Sequence, residues 1–129
     1  GAPNVSTATS VREQHGRDES MHEWCHRVPR CAPPHAVVWP QAMGRVQRLA
    51  VLCHRCHVPM VPFGTSLQGA VNMPLCQGGA CFDLSRMDVV TERSLEDCSV
   101  SVEPSLTLRV LSSHLHGTRL CFPASRLGI

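Results

Sequence analysis

The strongest constraint on the fold is a change of apolar period between residues 35 and 63. His35 to Pro40 is a short apolar run closed by proline, which is typical of a strand. From Gln41 to His57 apolar residues recur every three or four positions, which predicts an amphipathic helix with Val46, Leu49, Ala50, Cys53 and Cys56 or His57 on one face. Met60 to Phe63 then predicts a second strand. The pattern is that of a βαβ unit, whose ligands bind at the carboxyl ends of the strands.

The rest of the sequence adds shorter elements. We expect strands at Gly78 to Leu84 and Ser99 to Pro104, and a second helix from Ser105 to His116 with Gly117 as its stop. Residues 1–34 are polar and are predicted to form an arm and loop, with a short helix between Val5 and Gln14 capped by Ser6. The predicted fold is α+β, with about four strands in a small sheet flanked by two main helices; residues 35–129 form the folded domain.

Composition excludes several classes of function. A chain of 129 residues has room for one domain, and it contains no run of 18 apolar residues that could span a membrane. A net charge of +2, no Tyr and three Phe give no basic stripe with interleaved aromatic residues, so we expect no nucleic-acid partner. The first twenty residues are polar and show no targeting segment.

Eight cysteines in 129 residues raise three possibilities. A disulfide framework is disfavoured because Cys53, Cys81 and Cys98 fall in or beside apolar segments, where reduced cysteine behaves as a small hydrophobic residue. The run from Cys53 to His57 matches CxxCH, the attachment pattern of c-type haem, but it lies in the predicted helix. Zinc could be bound by soft ligands of the two cysteine-containing segments, Cys25, His26, Cys31, His35, Cys53 and Cys56. A small haem or zinc module therefore stays open as an alternative, and the preferred interpretation assigns no metal ligand.

Other titratable residues give no catalytic pattern. His114 and His116 lie two positions apart on the second predicted helix, so they face different directions and are expected at the surface. The acids Asp83, Asp88, Glu96 and Asp97 are interpreted as isolated residues near turns. No catalytic residue is assigned.

The segment from Pro59 to Ala70 follows the second strand of the βαβ unit and carries glycine, threonine and serine. Small side chains and free backbone N–H groups at the end of a strand allow close approach of a phosphate group. This segment is therefore the candidate binding loop.

Seven stretches, read in order, carry a resemblance that covers almost the whole chain. They are VREQHGRDES (11–20), AVVWPQ (36–41), VPMVPFGT (58–65), QGG (77–79), DLSRMD (83–88), LEDCSVSVEP (95–104) and LSSHLHGTRLCFP (111–123). In these stretches the sequence resembles the FAD-binding oxidoreductases of the PCMH, or vanillyl-alcohol oxidase, type, and among them the mitochondrial, cytochrome-linked D-lactate dehydrogenases.

The resemblance implies a function and a site. It implies the first lobe of a PCMH-type FAD-binding domain and FAD-dependent oxidation of D-lactate or a related D-2-hydroxy acid, with hydride passing to the flavin and electrons to a cytochrome in mitochondria. By position, the flavin pyrophosphate would be held by Pro62, Phe63, Gly64, Thr65, Ser66, Leu67 and Gly69. The glycine-rich run of the family is two residues longer, and the resemblance ends within the amino-terminal half of its flavin domain. A truncated or degenerate, non-catalytic fragment with weak or no flavin binding is therefore the alternative.

Overall fold

The computed structural model describes residues 4–16, 33–64 and 78–123. The chain divides into two compact units, Gly1–Arg86 and Met87–Ile129. In chain order the elements are β1 (Val5–Ser6), α1 (Thr9–His15), β2 (Ala36–Val38), α2 (Met43–Arg55), β3 (Met60–Phe63), β4 (Ala80–Asp83), β5 (Val90–Ser94), β6 (Ser99–Val102) and α3 (Leu108–Leu115). This mixed arrangement of small sheets and helices confirms the predicted fold class.

The first unit contains a four-stranded sheet in the order β1-β2-β4-β3. Strands β2, β4 and β3 are parallel, and β1 pairs antiparallel to β2. The strand–helix–strand prediction for residues 35–63 is confirmed, but β4 lies between β2 and β3. Its four residues are all buried, and a strand that is buried on both faces belongs in the middle of a parallel sheet.

Helix α2 covers the sheet with the apolar face that its period predicts. Cys53 is buried with Val38, Ala80 and Phe82 of the sheet, and the half-buried Val46 and Leu49 pack against this cluster. The opposite side of α2 is polar or exposed, which is the pattern expected of a helix lying on a sheet.

Proline in β3 is explained by the position of the strand. Among the described strands β3 lies at the edge of the sheet, and Pro62 is exposed in register with Phe82 of β4. Proline cannot donate a backbone hydrogen bond, so an edge strand is where it is tolerated.

Part of the predicted polar arm belongs to the sheet. Strand β1 pairs with β2, and α1 begins at Thr9 rather than Val5. The Ser6 hydroxyl accepts a hydrogen bond from the Ala8 amide, before the helix starts, so the prediction that Ser6 caps this helix is wrong. The division of the chain at residue 34 stays a prediction.

The second unit contains a hairpin and a helix. The predicted strand from Ser99 is β6, but it pairs antiparallel with β5 instead of joining the main sheet. Helix α3 starts at Thr107, whose hydroxyl accepts a hydrogen bond from the Val110 amide, and it buries Leu111 and Leu115. Its predicted stop is confirmed, because Gly117 has φ +83°, a conformation that glycine adopts without strain.

Glycine is also required where the chain enters β4. Gly78 has φ +76°, and a Cβ atom built on it would lie 2.4–2.8 Å from three atoms of the His35 ring. The next residue, Gly79, accepts hydrogen bonds from the amides of His35 and Ala36 through its carbonyl oxygen. Gly78 and Gly79 therefore let the backbone pass close to the ring and amide of the histidine that precedes β2.

Candidate functional site

The carboxyl ends of β2, β3 and β4 meet at one edge of the parallel part of the sheet. Trp39 follows β2, Gly64 follows β3, and Asp83 is the last residue of β4. In open sheets of this kind, ligands bind outside the carboxyl ends of the strands. This edge is therefore the candidate functional site.

Asp83 is the centre of a buried polar cluster at this edge. Its Oδ2 atom accepts hydrogen bonds from Trp39 Nε1 at 2.7 Å and from His15 Nε2 at 2.9 Å. Its Oδ1 atom accepts from the Ser85 amide at 2.9 Å. The side chains of both His15 and Asp83 are only 8% exposed, so these contacts form in surroundings from which water is largely excluded.

The hydrogen bonds keep this carboxyl group ionised. Burial by itself would raise the pKa of the Asp83 carboxyl, but hydrogen bonds from Ser85, His15 and Trp39 outweigh burial and lower its pKa below the usual value. A carboxylate at this edge that already accepts three hydrogen bonds is suited to hold neighbouring groups in place.

The cluster joins α1 to the ends of three strands. The His15 ring lies with its centroid 4.6 Å from that of Phe63, the last residue of β3, and it meets the Trp39 ring edge-on at 5.8 Å. The Arg86 guanidinium lies 5.4 Å from the centre of the Trp39 ring and donates a hydrogen bond to Asn4 Oδ1. One polar network therefore fixes the surroundings of the residue that precedes Gly64.

The predicted cofactor residues are only partly described. Pro62 is exposed in β3, Phe63 is half-buried, and Gly64 follows the strand. A Cβ atom built on Gly64 would meet no atom of residues 4–16, 33–64 or 78–123 within 4 Å. The remaining predicted residues lie outside the described part of the chain: Thr65, Ser66, Leu67 and Gly69.

The described cysteines are all free thiols, and their surroundings differ. Burial, followed by the neighbouring Asp83 charge, raises the pKa of the Cys81 thiol to about 12, and burial followed by Cys56 raises the pKa of the Cys53 thiol. Cys56 and Cys98 are exposed, so the prediction of an apolar setting is confirmed for Cys53 and Cys81 and is wrong for Cys98.

The CxxCH run was predicted to lie within the helix, but α2 ends at Arg55, so the prediction that Cys56 or His57 continues its apolar face is wrong. Cys53 points into the core, Cys56 is exposed, and His57 has φ +53° after the helix. Within residues 4–16, 33–64 and 78–123, no three His, Cys, Asp or Glu side chains are grouped as metal ligands would be. Three of the zinc candidates, Cys25, His26 and Cys31, fall outside these ranges.

Sequence reasoning missed the cluster around Asp83. The interpretation of Asp83 as an isolated acid near a turn is wrong, because it is the end of a buried strand and bonds to His15 and Trp39. His15, Trp39 and Asp83 each lie in a stretch that carries the family resemblance: VREQHGRDES, AVVWPQ and DLSRMD. Their occurrence in these stretches was the sequence evidence that could have connected them. His114 and His116 are exposed, as predicted.

Comparison with curated proteins finds relatives across most of the chain. Over 125 residues it is 45% identical to a probable mitochondrial D-lactate dehydrogenase of Danio rerio, covering 95% of this chain and 23% of the relative. It is 31% identical over 122 residues to the mitochondrial D-lactate dehydrogenase [cytochrome] of Arabidopsis thaliana, covering 93% of this chain and 20% of the relative. The chain thus spans about a quarter of the length of these relatives or less. No model of a known protein family matches the sequence.

Solved structures share the fold at low sequence identity. An alkyldihydroxyacetonephosphate synthase superposes with a TM-score of 0.69 at 21% identity, over 88% of this chain and 24% of that protein. A p-cresol methylhydroxylase superposes with a TM-score of 0.66 at 18% identity, over 89% of this chain and 22% of that protein. The chain is thus similar in sequence to mitochondrial D-lactate dehydrogenases along nearly its whole length, and it shares the fold of these two solved proteins.

Proposed function

We propose that this chain contributes part of an FAD site at the carboxyl ends of its parallel strands. The observation that carries the proposal is the sequence similarity to D-lactate dehydrogenases, combined with a strand followed by Gly64, on which a Cβ atom would meet no atom of the described residues within 4 Å. An unhindered backbone N–H at such a position can donate to a phosphate oxygen, and the hydroxyl groups that follow can add donors without adding charge. The residues proposed to hold the pyrophosphate are Pro62, Phe63, Gly64, Thr65, Ser66, Leu67 and Gly69.

For the whole protein we propose FAD-dependent oxidation of D-lactate or a related D-2-hydroxy acid in mitochondria, with a cytochrome as electron acceptor. The names of the relatives at 45% and 31% identity support the substrate, the compartment and the acceptor. The chemistry that FAD supplies is acceptance of a hydride from the carbon that bears the substrate hydroxyl group. The contribution of this chain is to bind and orient the pyrophosphate end of the cofactor. In the described part of the chain, no helix has the length and apolar character needed to cross a membrane.

Titration of the 129-residue chain with FAD tests the cofactor proposal. Flavin fluorescence should change on binding, and riboflavin, which has no pyrophosphate, should bind more weakly because the proposed contacts are to phosphate oxygens. Unchanged flavin fluorescence throughout the titration, together with no retention of FAD on dialysis, would contradict the proposal.

A matched pair of glycine variants makes the test specific for the strand end. Gly64→Val places a side chain where no atom of the described part of the chain lies within 4 Å, so the fold should persist while the side chain obstructs the approach of phosphate. Gly44→Ala, on α2, also adds a side chain into open space but lies away from the carboxyl ends of the strands. We expect weaker FAD binding for Gly64→Val alone; equal affinities for the two variants would argue against a role for Gly64.

Because the chain spans about a quarter of its relatives or less, the activity needs its own test. We expect no D-lactate-dependent dye reduction by the 129-residue chain. Turnover by this chain would show that the substrate-oxidising groups lie within it.

A further inference from the structure

The His15 ring has a hydrogen-bond partner at each of its two nitrogens. Its Nδ1 atom lies 2.9 Å from the backbone oxygen of Val11, and its Nε2 atom lies 2.9 Å from Oδ2 of Asp83. The first partner belongs to α1, which carries His15, and the second to the end of β4. A ring held at both nitrogens, from two elements, has a fixed orientation.

The same ring determines where β3 can end. Its centroid lies 4.6 Å from that of Phe63 with the planes tilted by 49°, a separation at which aromatic rings attract each other. On its other side, the Phe63 backbone oxygen accepts a hydrogen bond of 2.9 Å from the Leu84 amide of the strand next to it. The Phe63 side chain is thus held by α1 and its backbone by the end of β4, and Gly64 follows directly.

The arginines near the ring leave this arrangement undisturbed. Asp83 faces His15 from β4 at hydrogen-bond distance. Arg86 is directed to the Trp39 ring and to Asn4, while Arg12, on the same helix as His15, donates from Nε to the Pro34 backbone oxygen at 2.6 Å. The two arginines thus have partners of their own, and the pairing of His15 with Asp83 is kept.

We propose that His15, bonded to Asp83, is a positioning residue that fixes Phe63 and Gly64 for FAD binding. The proposal rests on the proposed FAD site. It assigns a role to α1, which is more than forty residues away from the binding loop in the sequence.

The experiment compares FAD affinity in three variants. His15→Phe keeps a ring against Phe63 but cannot donate, whereas His15→Gln keeps one neutral donor that can reach Asp83. We expect His15→Phe to weaken FAD binding about tenfold and His15→Gln to recover part of this loss, since coupling through such networks is on the order of 1 kcal/mol. His54→Gln removes an exposed histidine of α2 and should leave FAD affinity unchanged.

The outcomes separate this inference from the function on which it depends. Far-UV circular dichroism of each variant checks that the fold is retained. An unaltered chain that does not bind FAD overturns the proposed cofactor site and the role of His15 with it. Binding by the unaltered chain with equal affinity in folded His15→Phe overturns the positioning role alone.

Discussion

Replacing Asp83 by alanine should destabilise the chain more than any exposed substitution. The variant removes the acceptor for His15 Nε2, Trp39 Nε1 and the Ser85 amide. Leaving a buried donor without its acceptor costs about 1–3 kcal/mol, and three donors lose their acceptor here. We expect a loss of about 3–5 kcal/mol in the free energy of unfolding, against the ~5–15 kcal/mol that small domains possess in total.

Urea denaturation followed by far-UV circular dichroism measures this loss, and Trp39 fluorescence reports on the cluster itself. Asp83→Asn serves as an intermediate variant, because the amide oxygen can still accept from His15 and Trp39 while the bond from the Ser85 amide is lost. Its expected cost is smaller, about 1–2 kcal/mol. Asp88→Ala removes the same side chain from an exposed position and should change the free energy of unfolding by less than about 0.5 kcal/mol.

A result within about 1 kcal/mol of the unaltered chain for Asp83→Ala would refute the reasoning. It would mean that the buried hydrogen bonds of Asp83 contribute no more than surface contacts do, which measure about 0–1 kcal/mol. Equal losses for the alanine and asparagine variants would show that the charge and the bond to Ser85, rather than the bonds to the two rings, carry the stability.

Three further predictions concern other parts of the chain. Folding lowers the pKa of Asp83, so the ionised carboxylate stabilises the chain at pH values above its unfolded pKa of about 3.9. This stabilisation is lost as the pH falls through the lower pKa of the folded state. Over the same decrease in pH, the difference in the free energy of unfolding between the unaltered chain and Asp83→Asn should shrink. Gly78→Ala should lower the free energy of unfolding by at least about 1 kcal/mol, because Gly78 has φ +76° and its Cβ atom would meet the His35 ring. Gly44→Ala, in a helix, should raise the free energy of unfolding by about 0.5–1 kcal/mol. Equal effects of the two variants would contradict the requirement for glycine at position 78. Iodoacetamide labelling read by mass spectrometry should modify the exposed Cys56 well before Cys81, whose thiol is buried with a pKa of about 12; early labelling of Cys81 in the folded chain would disprove its burial.

Much of the local structure followed from residue periods. The helix predicted between Gln41 and His57 is α2, and its apolar face is the one that packs on the sheet. Strand β5 was missed because its sequence, VTERS, is mostly exposed and shows no apolar alternation. It exists because β6 supplies a partner, and pairing is a property of two segments rather than of one.

The sequence predicted where the candidate site lies, at the end of β3, but not which side chains from other segments surround it. The strand ending at Phe63 and Gly64 was identified from its apolar run and its glycine, and the family resemblance supplied its proposed ligand. His15 and Asp83 were not connected because they are 68 residues apart, and neither has a neighbour in sequence that signals the other. Arg86 and Trp39 are also far apart in the sequence, and they come into contact only in the folded chain.

The sequence by itself determined the main helices and most of the strands of this protein, because apolar period, proline and glycine act on the backbone within a few residues. Only the tertiary structure decided which strands are neighbours: β4 lies between β2 and β3, where its apolar residues are buried on both faces of the sheet. It also decided that Asp83 is a buried, ionised anchor instead of a solvated acid. Removing a carboxylate from water costs free energy, and hydrogen bonds from several donors are needed to offset that cost. The donors to Asp83 come from separate segments, and they converge on it only after the chain has folded.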